Sequence, residues 1–235
     1  MRSIEQFLQA FPHARNTDEP PKELVDVCRK NITKFFDATG YTFNGDEFDK
    51  ILDFVARYEI SLIDTRDEYG LNGATVKIFG LKGKRFKTPK GLLLHGTCGT
   101  GKTTAARIVS KMMGFPMFDV AEINALYLGK NGNEWAEEFM FDNERKPIII
   151  DDLGSERKVS SYGNPSPITD IILRRSISWE QHAVPTIYTT NLGHFSDADG
   201  QTVTIEKFYG TRIKSRLFGS CVPVLLNGDD WRLKQ

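Results

Sequence analysis

Apolar residues recur every three or four positions through the first quarter of the chain, a spacing that predicts helices. Ile4, Phe7, Leu8 and Phe11 make one stripe, and Leu24, Val27, Cys28, Ile32, Phe35 and Phe36 a second. Phe48, Ile51, Leu52 and Val55 make a third, on a helix expected over 46–58. Pro20 and Pro21 separate the first two, and the glycine-bounded stretch 40–45 separates the second from the third. Helices that each carry one apolar face make a small helical module, the faces either buried on one another or offered to a docking partner.

Beyond residue 70 the pattern changes. Glycines, a short β-like run at 74–79 and the basic residues Lys82, Lys84, Arg85, Lys87 and Lys90 mark a domain boundary. Its charges are either solvated or set against a nucleic-acid backbone. From residue 91 onward, continuously apolar runs at 91–95, 117–120, 147–150, 185–189 and 222–226 alternate with helical stretches at 102–113, 134–141, 167–181 and 205–217. Apolar strands alternating with helices predict an α/β core, a five-stranded parallel sheet covered on both faces. The expected organisation is a helical N-terminal partner-binding module at 1–70, a linker at 71–87 and a nucleotide-binding domain at 88–235.

Composition narrows the setting. With 40% hydrophobic and 26% charged residues and a formal net charge of zero, the chain reads as globular, and any nucleic-acid contact must be local. Cys28, Cys98 and Cys221 show neither CxxC nor Cys/His spacing, which points to no disulfide framework and no zinc site. No apolar run approaches the ~18 residues needed to cross a bilayer, and residues 1–15 hold no signal-like apolar core. A cytoplasmic protein with no membrane partner is expected.

The chemistry concentrates in two motifs. Gly96, Thr97, Cys98, Gly99, Thr100, Gly101, Lys102 and Thr103 match GxxxxGK[ST] in full, between an apolar run and a helical one. That order suits a triphosphate: backbone N–H groups of the glycine-rich loop wrap the phosphates, and the positive end of the new helix faces them. Lys102 then neutralises β/γ oxygens, Thr103 supplies a magnesium ligand, and Cys98 occupies a variable position. The second motif is the apolar run 147–150 ending in Asp151 and Asp152. Ligands gather at the carboxyl ends of parallel strands, so Asp151 is expected to hold Mg2+ and Asp152 to orient or deprotonate the attacking water. Asn191, ending the run at 186–190, either hydrogen-bonds the γ-phosphate or the water, or merely starts a turn. Arg212 and Arg216 stand one helical turn apart on a common face, placed either to spread transition-state charge from a neighbouring subunit or to be solvated. Arg157, Arg174 and Arg175 read as helix or loop surface.

In combination, GTCGTGKTT at 96–104, IIIDDLGSE at 148–156, PTIYTTNL at 185–192, YGTRIKSRL at 209–217 and DDWR at 229–232 resemble the AAA+ ATPases. Within these they are similar to the DnaC/IstB-like group of helicase loaders and transposase helper ATPases. The resemblance implies a P-loop NTPase of the AAA+ type that binds ATP with Mg2+ and hydrolyses it. By position it makes Thr104 part of the nucleotide loop, Asn191 the sensor-1 residue, Arg216 the trans-acting finger with Arg212 beside it, and Arg232 the sensor-2 arginine. It further implies a replicative helicase or a transposase as client of the N-terminal module, contact with DNA, single-stranded for a loader, and a homo-oligomer when ATP is bound. A small-molecule kinase shares the P-loop, but 155–184 suggests no acceptor pocket.

Overall fold

The computed structural model describes residues 18–41, 46–66, 73–129, 132–156, 167–193 and 203–228. The helix expected to carry Ile4, Phe7, Leu8 and Phe11 lies outside them, as do Arg157 and Arg232 with its DDWR segment. Contacts divide the chain into two compact units, Met1–Pro89 with Gln181–Ala183, and Lys90–Glu180 with Val184–Gln235.

In the first unit, helix α1 (Lys22–Ala38) buries Leu24, Val25, Ile32 and Phe36, and α2 (Asp46–Ser61) buries Ile51, Leu52, Phe54 and Val55. The two helices pack on each other, with the Phe36 and Phe48 rings edge to face at 5.1 Å. The run at 74–79 departs from its β-like pattern. It forms the short helix α3 (Gly73–Ile78), which buries Val76 and leaves Ile78 exposed. A single buried contact of this kind is satisfied by one helical turn, whereas a strand there would need a neighbour to pair with. The basic residues at 82–90 are exposed.

The second unit is a parallel five-stranded sheet in the order β2-β3-β4-β1-β5. Its strands are β1 (Gly91–His95), β2 (Met117–Asp119), β3 (Ile148–Leu153), β4 (Thr186–Thr190) and β5 (Cys221–Leu225). β1 and β4 are buried along their whole length, as inner strands of a doubly covered sheet are. Leu93, Ile148, Ile150 and Tyr188 face one core with Ile168, Ile171, Ile172, Ile213 and Leu217. Strand alternation turns Leu92, Leu94, Ile149 and Ile187 to the other face.

Helix α4 (Lys102–Met113) packs on β3 and β4 through Ala105, Ala106, Ile108 and Val109. α5 (Val120–Gly129) and α6 (Gly132–Asn143) follow β2, and α7 (Pro167–His182) precedes β4. The single helix expected at 205–217 is two, α8 (Ile205–Tyr209) and α9 (Thr211–Ser220). Thr204 caps α8 by accepting the Lys207 N–H at 3.1 Å. Gly210, at φ 86° and ψ 164°, breaks the helix in a conformation open to glycine and strained for other residues.

Arg175 corrects the surface reading. It is 1% exposed, and its guanidinium donates to Thr186 Oγ1 (2.8 Å) and to the carbonyls of Asn143 (2.5 Å), Lys146 (3.0 Å) and Pro185 (3.3 Å). Burial pulls its pKa down, and carbonyl dipoles at the feet of β3 and β4 surround the charge. Arg174 lies at the surface with Asp170 and Glu137 as partners. Arg175→Ala would strand several carbonyls and leave a void, at about 1–3 kcal/mol for each group left unsatisfied. We expect a loss of at least about 3 kcal/mol in urea unfolding, against a change within roughly 1 kcal/mol for Arg174→Ala.

Among the described residues no helix is long and apolar enough to cross a membrane.

Candidate functional site

The loop 96–101 is fixed at both ends. At its start Gly96 passes so close to the chain after β5 that a Cβ would lie 2.2 Å from the Leu226 carbonyl oxygen. The Leu226 N–H in turn donates to the His95 carbonyl at 2.8 Å, which holds the end of β1. At its finish Thr100 donates to the Thr97 carbonyl at 2.9 Å, and the Ala105 N–H to that of Gly101 at 2.9 Å, so α4 begins directly from the loop. The helix's first N–H groups, which have no intrahelical acceptor, form an anion-attracting end there.

Lys102 is buried at this end, with its Nζ donating to the carbonyls of Gly96 (2.9 Å) and Thr97 (2.6 Å) and lying 3.4 Å from Thr100 Oγ1. The loop thus holds the ammonium in place by its own oxygens. Thr97, Cys98 and Thr104 are exposed, and Cys98 is a free thiol.

The acidic strand tip meets α4 from β3. Its register with β4 shifts between Ile150 and Leu153, and Asp152 takes a left-handed φ of 64°. A bulge of this kind re-aims side chains at a strand end, and aspartate tolerates left-handed backbone better than most residues. Asp151 is buried, and its Oδ1 accepts from Thr103 Oγ1 at 3.0 Å and from Thr189 Oγ1 at 2.6 Å. The Thr189 oxygen also accepts the Asp152 N–H at 2.8 Å, so one hydroxyl fixes both aspartates. Asn191 Nδ2 donates to Asp152 Oδ1 at 3.0 Å. Asp119 at the tip of β2, in register with Asp151, adds a third carboxylate and accepts the Ala121 N–H at 2.7 Å.

Burial, then the charges of Asp151 and Asp119, push the Asp152 carboxyl above the usual carboxylate range, while Lys102 and a hydrogen bond with Ser155 oppose them. A cation beside these carboxylates would relieve their mutual repulsion. The Thr103 hydroxyl and the Asp151 carboxylate are hard oxygen donors, which suit magnesium when phosphate and water complete its shell.

The structure therefore brings together Lys102, Thr103, Asp151, Asp152 and Asn191. Arg212 is exposed and has no hydrogen-bond or ion-pair partner among the described residues, whereas Arg216 pairs with Glu180 on α7 at 2.7 Å. Among the described residues, the hydrogen bonds of Arg216 involve neither the loop nor the strand tips. Thr189 and Asp119 have no place in the sequence reading, although three threonines in a buried five-residue strand are a visible signal for the former.

Residues 92–207 match the family model of the ATPase family associated with various cellular activities (AAA). Over 112 residues the chain is 31% identical to the ATP-dependent zinc metalloprotease FtsH of Lancefieldella parvula, a match covering 45% of this chain and 16% of that protein. Among solved structures, DnaI shares 21% identity at a TM-score of 0.52, over 80% of this chain and 89% of that one. The DnaC helicase loader shares 16% at 0.49, over 83% and 99%.

Proposed function

Residues 92–207 make up an AAA-family ATPase domain, and from that premise we propose that the protein is an ATP-hydrolysing helicase loader of the DnaC/IstB-like group. The observation that carries the ATPase reading is the 3.0 Å contact between Thr103 of the loop and Asp151 of the strand tip. It supports a reading in which the loop is a phosphate cradle and the strand tip beside it a cation ligand. In this reading the N–H groups of 96–104 and the Lys102 ammonium bind the triphosphate of ATP, and Thr103 and Asp151 hold Mg2+, which supplies charge neutralisation when bound. Asp152 accepts a proton from the water that attacks the γ-phosphorus as the bond to the β–γ bridging oxygen breaks, releasing ADP and phosphate. Asn191 orients Asp152 and that water. Arg216, with Arg212 beside it, acts on the site of a neighbouring copy, and Arg232 senses the bound nucleotide.

The loader role draws support from the five-motif combination and from a fold shared with DnaI. The client is a replicative helicase, met by the module at 1–70 and joined by the linker at 71–87 to the domain at 88–235. The chain assembles with ATP on single-stranded DNA in the cytoplasm. The test mixes the protein, ATP and the replicative helicase of its own cell, and measures helicase deposited on single-stranded DNA. ATP-dependent deposition is expected. Absence of both association and stimulation would sink the loader role, and binding to a transposase instead would favour the helper ATPase of the same group.

A further inference from the structure

Glu156 and Tyr209 belong to two of the quoted motifs, yet neither has a role in the chemistry described above. Glu156 is 7% exposed, and its Oε1 has no hydrogen-bond partner among the described residues. A buried carboxylate oxygen without a donor is rare in folded chains and calls for an explanation. Its Oε2 accepts the Gly154 N–H at 2.9 Å, and the same N–H is shared with the Tyr209 hydroxyl oxygen, also at 2.9 Å. Burial first, and then the Glu156 charge, hold the phenol firmly in its protonated form. The hydroxyl can therefore serve as a donor beside an oxygen that lacks one.

Position gives the cluster its meaning. Gly154 lies two residues beyond Asp152, whose amide and carboxylate are already tied to Thr189 and Asn191. Leu153 is held on the same side, its carbonyl accepting from Thr190 Oγ1 at 2.7 Å. Tyr209 ends α8, and after the break at Gly210 the next residue begins α9, which carries Arg212 and Arg216. One phenol thus spans the gap between the acidic strand tip and the arginine helix. We propose that Tyr209 and Glu156 are positioning residues, a hydroxyl–carboxylate clasp on the Gly154 amide that carries rearrangement at Asp152 to the arginine helix α9. The Gly154 N–H holds the carboxylate and the hydroxyl at once, so a small shift of the 152–154 backbone acts on the residue that ends α8 and, across Gly210, on the start of α9.

This rests on the proposed nucleotide site, and the experiment separates the two. Parent protein, Tyr209→Phe, Glu156→Gln, Arg216→Ala and the double variant Tyr209→Phe/Arg216→Ala are compared for binding of a fluorescent ATP analogue. They are also compared for steady-state hydrolysis, at a protein concentration where activity per chain has reached its plateau. Phenylalanine keeps the ring against Phe208 and removes only the hydroxyl. Loss of one hydrogen bond from the active arrangement predicts kcat lower by roughly 3- to 10-fold, with KM and analogue affinity within about twofold of the parent. Because the clasp acts through α9, the double variant should be no slower than Arg216→Ala alone. Unchanged kcat in Tyr209→Phe, or effects that multiply in the double variant, would overturn the clasp. A parent that fails to bind the analogue would overturn the site itself. Hydrogen exchange over 211–220 gives a readout independent of turnover: nucleotide should slow it in the parent and not in Tyr209→Phe, and an equal response in both would also reject the clasp.

Discussion

Lys102→Ala is expected to weaken nucleotide binding about a hundredfold or somewhat more, and the size of the loss follows from where the ammonium sits. Two charge-assisted hydrogen bonds to phosphate oxygens contribute roughly 1.5–3 kcal/mol each, which by itself corresponds to on the order of 10²–10⁴ in affinity. In the free protein, however, Nζ already donates to the Gly96 and Thr97 carbonyls, so binding exchanges partners instead of creating them. That exchange moves the expected loss toward the lower end, a hundredfold or somewhat more. Stability should change little, because Thr100 and the contact of Gly96 with Leu226 hold the loop without the lysine. Titration of a fluorescent ATP analogue, paired with thermal unfolding, checks both halves. Normal affinity in a folded variant would contradict the assignment of the loop.

The parts of this site that the sequence made legible are those whose chemistry forces a local pattern. A loop that wraps phosphates needs glycines at set spacings before a helix, and a parallel strand covered on both faces is mostly apolar, so β1 and α4 appear at the residues expected. The opposite held for α5, whose apolar residues, among them Val120, Ala121, Ile123, Leu126 and Leu128, surround the helix instead of forming a stripe. Periodicity has nothing to register in such a segment. Thr189 escaped for a different reason: its role depends on the register between β3 and β4, a relation between distant residues that no local spacing encodes.

Arg175 shows a signal that was present and outvoted. Ile168, Ile171, Ile172 and Arg175 follow the three-and-four spacing of one helical face, and that face is buried. Charge argued for solvent and periodicity for the core. The core won because four oxygen atoms at the feet of two strands receive the guanidinium's hydrogen bonds. A charged residue in phase with an apolar stripe therefore reads better as a buried staple than as surface. The same reasoning separates Arg175 from Arg174, one residue earlier and out of phase, which remains at the surface with two carboxylates.

Arg216→Ala is expected to lower hydrolysis by about 10³-fold or more in assembled protein, the range associated with arginines that stabilise a transferring phosphoryl group. In isolated chains it should do almost nothing. There Arg216 pairs with Glu180, with both side chains substantially exposed, and such a surface pair contributes roughly 0–1 kcal/mol. The two expectations differ by more than a thousandfold and depend only on concentration, so hydrolysis per chain measured across a dilution series separates them. Glu180→Gln supplies the opposite perturbation: releasing Arg216 from its pair should leave dilute chains unaffected and raise, or at least preserve, the activity of assembled ones. Binding of the ATP analogue should stay near the parent value in both variants, since neither side chain contacts the loop at 96–101. If Arg216→Ala and the parent hydrolyse ATP equally at every concentration, the arginine is a surface residue and the site of one copy needs nothing from the next.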